Sequence, residues 1–274
     1  MLNLIKMDFY RLFHSKVVKV GAIAAAIIAF LGMLLNFGII EILKLGSSND
    51  PESIEALSLL FPIVAWIGGG VDFADVIFSG TATASLFVSC MVVASFIGAE
   101  QSCGYTKNIA GQLPFRGMTV ISKFVVTCFV QFAVLCIFTA VSSLCAGWMF
   151  GTLIKTYSIG AMIEGLLIRF LLFCAIDAII IFFCTLTKSH AIAMVIGAIF
   201  GIGVTNLVYF AARLLLSAIK IDIDVAKFMP DGINGLINVG DLNSIVVRAV
   251  IVSVIFIVGF LTSSVLLFQK RDVK

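Results

Sequence analysis

A chain of 274 residues that is 61% hydrophobic and only 12% charged cannot cover itself as a water-soluble globule, since soluble domains carry about 25% charged residues. The mean hydropathy of +1.19 requires lipid as the solvent for the excess apolar surface. The formal net charge of +3 matters less than where the charges fall.

Residues 2–16 open the chain. Leu2, Ile5, Phe9, Leu12 and Phe13 fall on one helical face, and Asn3, Lys6, Arg11 and His14 on another. The pattern predicts an amphipathic helix at the inner membrane interface, its cations Lys6 and Arg11 toward anionic headgroups. The alternative is a plain positive flank that fixes topology. The first apolar run begins near Val20 and extends for about 20 residues, longer than the 7–15 of a signal-peptide core, so a cleaved signal is not expected.

Six apolar runs follow, at Val20–Ile40, Val76–Ala99, Phe124–Phe150, Leu166–Leu186, Ala191–Ala212 and Ala249–Phe268. Each is close to the roughly 20 residues that cross about 30 Å of hydrocarbon. Lipid offers no partner for backbone N–H and C=O groups, so the runs must be helical. The expected fold is an all-α membrane protein, one transmembrane domain over residues 1–274. The fourth run carries Arg169 and Asp177. Its 14 Leu, Ile and Phe residues, each favourable by roughly 0.3–0.6 kcal/mol, outweigh the roughly 2.5–3.5 kcal/mol of a central Asp.

Orientation follows from Lys and Arg. Eleven cations stand against three acids (Asp8, Glu100, Asp272) in residues 1–19, 100–123, 187–190 and 269–274. The other connections, with Arg169 near the edge of the fourth run, carry seven cations against eleven acids. The basic set is expected inside, with both termini cytoplasmic.

Between the first two runs lies an outer loop, 41–75. Asp50-Pro51-Glu52 reads as a helix start. Ser58–Gly70 is apolar but too short to span, and reads as an interfacial or re-entrant piece. The segment 100–123 is cytoplasmic, punctuated by Gly104 and Gly111-Gln112-Leu113-Pro114. Tyr105, Ile109 and Leu113 form an apolar stripe suited to a protein partner, or to a connector resting on its own helix ends. The second long outer loop, 213–248, contains the alternating run Ile219–Val225, readable as an extended edge or a frayed helix end.

Ser89, Gln131 and Asp177 lie at about 16, 12 and 15 Å from the cytoplasmic ends of their runs, at 1.5 Å per residue. Three polar side chains at one depth are expected to share hydrogen bonds, because lipid cannot satisfy them. Arg169 is about 12 Å from Asp177 along the helix axis, too far for a direct pair. The layer reads either as a structural clamp or as a polar patch or proton site in a transport path.

Catalytic chemistry is not expected. The sequence has no G-x-x-x-x-G-K-[ST], no H-E-x-x-H and no Cys/His pair at metal spacing. No metal site, nucleic-acid partner or cofactor held by this chain is predicted. The seven cysteines (Cys90, Cys103, Cys128, Cys136, Cys145, Cys174, Cys184) read as small hydrophobes rather than a disulfide framework.

Glu100-x-x-x-Gly104-Tyr105-x-Lys107-Asn108, followed by Arg116 and Ser122-Lys123-Phe124, resembles the permease subunits of bacterial type-2 ABC exporters. So does the start, Asn3 to Phe13. The resemblance covers the whole chain in length and span number. In size it is similar to subunits that export peptides, including lantibiotic-immunity and cytolytic-peptide exporters. It implies two permeases forming a pore, as a homodimer or with a related paralogue, in the bacterial plasma membrane. ATP and Mg would reside on separate cassette ATPase subunits. Glu100, Gly104, Tyr105, Lys107, Asn108, Ile109 and Arg116 would form the coupling helix in the ATPase cleft. Lys6, Phe9, Arg11, Leu12 and Phe13 would form the interfacial helix, and the cargo would be an amphipathic peptide. Two other classes compete: a proton-coupled secondary transporter using Asp177, and a non-transporting anchor or sensor.

Overall fold

The computed structural model describes residues 2–46, 71–79, 82–102, 117–151, 154–156, 158–187, 189–218, 224–237 and 242–270. Helices dominate: α1 (Leu2–His14), α2 (Lys16–Gly46), α3 (Phe73–Ser79), α4 (Ala82–Ser102), α5 (Met118–Met149), α6 (Ile159–Thr187), α7 (His190–Ile202), α8 (Val204–Ala218), α9 (Pro230–Leu236) and α10 (Leu242–Lys270). A short 3₁₀ turn, Val225–Phe228, precedes α9.

Four helices are long and apolar enough to cross a membrane: Lys16–Ile42 of α2, all of α5 and α6, and Ile245–Lys270 of α10. The first, third, fourth and sixth apolar runs of the sequence are therefore helices of spanning length, each longer than its apolar stretch. This is the architecture of a multi-pass membrane protein.

Among the described residues the other two runs do not form single straight helices of spanning length. The second, expected at Val76–Ala99, is divided between α3 and α4, with residues 80 and 81 outside the description. What remains in α4 is an apolar stretch of 17 residues, Thr83–Ala99. The fifth run, expected as one helix over Ala191–Ala212, bends by 67° between α7 and α8. Gly203 sits at the bend with φ +79°, a left-handed conformation that glycine adopts without steric cost. Its carbonyl accepts the Asn206 N–H at 3.0 Å and restarts the helix. If the bent pair counts as one crossing, five spans pass the length test among the described residues.

The loops at the end opposite segment 103–116 are partly built into the bundle. Val71–Asp72 (β1) pairs in parallel with Ile154–Thr156 (β2). Ala74, Val76, Ile77 and Phe78 of α3 are buried, as are Pro230, Asp231, Gly232, Ile233 and Asn234 of α9. The expected loop 213–248 thus contributes a short buried helix, and the end of the expected loop 41–75, from Phe73, is the start of α3. Glu41 still belongs to α2, and Arg213 to α8. Asp50-Pro51-Glu52, Ser58–Gly70 and residues 219–223 of the alternating run lie outside the described residues; Val225 begins the 3₁₀ turn.

α6 is the central helix, with 67% of its most apolar window buried against 17% for α10 and 28% for α2. It packs on α4, α5, α7, α9 and α10. Lipid supplies no hydrophobic drive for helices to associate, so close backbone approach must do so. α4 and α7 meet through Gly197 and Gly201, a small-xxx-small pair one turn apart. A Cβ at Gly201 would lie 2.5 Å from the Cα of Phe87, and one at Gly197 would lie 3.2 Å from the carbonyl oxygen of Cys90.

Candidate functional site: a polar layer inside the helix bundle

α5 and α6 each present a polar side chain at the bundle centre. Gln131 and Asp177 are both fully buried. The amide Nε2 of Gln131 donates to Oδ1 of Asp177 at 2.6 Å. Thr127, one turn before Gln131 on α5, also lies beside Asp177, while its hydroxyl donates to the carbonyl of Phe124 at 3.0 Å. Asp177 Oδ2 and Gln131 Oε1 have no hydrogen-bond partner.

The third expected member of the layer is not joined to it. Ser89 is buried on α4, but its hydroxyl donates to the Leu86 carbonyl at 2.9 Å. A serine can satisfy its hydroxyl on its own helix, three or four residues back, whereas glutamine and aspartate cannot. The neighbouring Cys90 connects α4 to the layer, within electrostatic reach of both Asp177 and Asp231.

Asp177→Asn should leave the melting temperature in detergent close to that of the parent, because the amide still accepts from Gln131. Asp177→Leu strands the Gln131 amide and should cost about 1–2 kcal/mol. Equal melting temperatures for the two variants would remove the clamp from the account.

Arg169 lies two turns from Asp177 on α6 and is 2% exposed. It does not pair with Asp177. Its guanidinium donates to the carbonyls of Gly165 at 3.4 Å and Ile237 at 3.3 Å. It also stacks 4.2 Å from the Phe78 ring centroid and lies in the field of Asp75. One cation therefore fastens α3, α6 and the end of α9 together. On α9, Asp231 accepts from the Tyr209 hydroxyl of α8 at 2.6 Å. Apart from the Gly165 carbonyl one turn back, none of these partners is visible in sequence spacing, because each contact joins separate elements of the chain.

α1 packs along α5 and touches α2. Its buried stripe is Leu4, Asp8 and Leu12, which differs from the expected face. Leu12 is buried and Phe9 half-buried, with its ring edge-on to Phe129 at 5.2 Å. Phe13 is 59% exposed, and Lys6 is also exposed. The stripe turns because it has an acid at its centre. Asp8 accepts from the Ser122 hydroxyl at 2.5 Å and stands 4.0 Å from Arg11. The sequence signal was available: Asp8 lies four residues from a leucine on either side.

Glu100 falls near the end of α4, with its side chain undescribed. Gly104, Tyr105, Lys107, Asn108, Ile109 and Arg116 lie outside the described residues. Among the described residues no three His, Cys, Asp or Glu side chains gather as metal ligands. Cys90, Cys128, Cys136, Cys145, Cys174 and Cys184 are free thiols. No known protein family matches the chain, and no curated protein matches it either.

Proposed function

We propose that this chain is the permease subunit of an ATP-driven ABC exporter in a bacterial plasma membrane, with both termini cytoplasmic. The observation that carries the reading is the Glu100–Arg116 segment. Its residues resemble those of type-2 exporter permeases, and it connects α4 to α5, two helices of the bundle. The absence of a phosphate-binding loop in the sequence agrees with energy supplied by a separate subunit. α1 supports the same reading. It is held against α5 within a few residues of Arg116, through Asp8 and Ser122. Its exposed Lys6, Tyr10 and Phe13 suit the headgroup region. In this reading two copies, or one copy and a paralogue, enclose the path, and the cargo is an amphipathic peptide.

The test is recovery of the ATPase. Tagged chain purified from native membranes should bring down a P-loop ATPase, and Tyr105→Glu with Ile109→Glu should abolish that recovery while the permease still folds. Unchanged recovery would refute the docking assignment. Native mass spectrometry showing one permease per two ATPases would refute the dimer. Full export of amphipathic peptides by a strain lacking the chain would refute the cargo.

A further inference from the structure

The Gln131–Asp177 pair is incomplete as drawn by its heavy atoms. Both side chains are fully buried, yet Asp177 Oδ2 and Gln131 Oε1 accept no hydrogen bond, and the Thr127 hydroxyl beside Asp177 is given to the Phe124 carbonyl at 3.0 Å. Both open atoms are oxygens that can only accept unless a proton is added. What the pair lacks is therefore a donor, a positive charge or both. A buried carboxylate without either is among the most costly groups a bundle can hold.

Among the described residues the protein's own cations do not fill the gap. Arg169, on the same helix, is committed to the carbonyls of Gly165 and Ile237, the Phe78 ring and the field of Asp75. On α5, Lys123 is near the start of the helix, two turns before Gln131. On α10, Arg248 and Lys270 are exposed near the two ends. α7 contributes only His190, its first residue. The titratable groups nearer Asp177 among the described residues are thiols and acids, none of them a cation. They are Cys174 on α6, Cys128 on α5 and Cys90 on α4, with Asp231 of α9 also within reach of Cys90. Asp231 is itself held by the Tyr209 hydroxyl. A metal cation requires a shell of several oxygens, whereas this layer leaves two open.

We propose that Asp177 binds a single proton on Oδ2 at neutral pH, which makes the Gln131–Asp177 pair a proton site inside the bundle. The bound proton turns Oδ2 into a hydroxyl donor and removes the charge, while Oδ1 keeps the bond from Gln131. The inference concerns the ligand of this pair alone and does not rest on the exporter reading.

Infrared spectroscopy of the purified full chain in lipid nanodiscs at neutral pH tests it, with aspartate carboxyls labelled by carbon-13. The expected result is a carboxylic-acid carbonyl band that shifts with the label and is lost in Asp177→Asn. Gln131→Leu provides a second variant. It should keep the band and raise its frequency, because the carbonyl loses a donor. No labelled acid band in the parent would overturn the proposal. So would a band that Asp177→Asn and Gln131→Leu both leave untouched. Loss of the band on replacing potassium by sodium at constant pH and ionic strength would also overturn it, and would assign the site to a metal cation.

Discussion

Arg169→Ala is expected to lower stability in detergent by about 3–5 kcal/mol, the range for removing one partner of a buried charged cluster. The guanidinium is almost wholly buried, and its contacts reach α3 through Phe78 and the chain after α9 through Ile237. Truncation leaves two buried carbonyls short of a donor and the acid Asp75 without its neighbouring cation. It also opens a space where a large side chain stood. Lysine should rescue only part of the loss, because one ammonium cannot reproduce a planar fork over an aromatic ring. Thermal unfolding followed by fluorescence measures the effect. An Arg169→Ala protein that melts with the parent would show that the guanidinium contacts contribute nothing net.

Gly201→Ala should destabilise by about 3 kcal/mol, toward the upper end for overpacking. The added methyl would meet backbone, since the Cα of Phe87 lies only 2.5 Å away, and backbone cannot swing aside as a flexible side chain can. α4 and α7 would have to separate, and with them Gly197 and Cys90. Gly38→Ala is the control. A Cβ at Gly38 on α2 meets nothing within 4 Å, and alanine favours a helix over glycine. Gly38→Ala should melt at or above the parent temperature while Gly201→Ala melts well below it. Equal behaviour would place the α4–α7 contact elsewhere.

What the sequence disclosed follows from the range of the physics involved. Span length and apolar content are local, so four long helices are legible from composition alone. The bend at Gly203 depends on a single glycine whose local preference overrides an unbroken apolar run, and hydropathy averages over it. The Gln131–Asp177 bond was legible because depth can be counted from the ends of two helices. Ser89 was misassigned because a short hydroxyl has an alternative acceptor on its own helix. The contacts of Arg169 with Phe78 and Ile237, and of Tyr209 with Asp231, join separate elements whose meeting no local pattern announces. Gly197-x-x-x-Gly201, a spacing the sequence reading passed over, marks the α4–α7 contact.

The positions of the partners along the chain also set an order for synthesis. Asp177 enters the membrane after Thr127 and Gln131 have been made, so its helix finds a hydrogen-bonding neighbour already waiting. Arg169 is in a different position. Asp75 and Phe78 precede it, but the carbonyl of Ile237 is translated 68 residues later. Chains emerge N-terminus first at about 5–20 residues per second. α6 therefore waits several seconds with its guanidinium half-served, and that interval exposes the chain to membrane quality control.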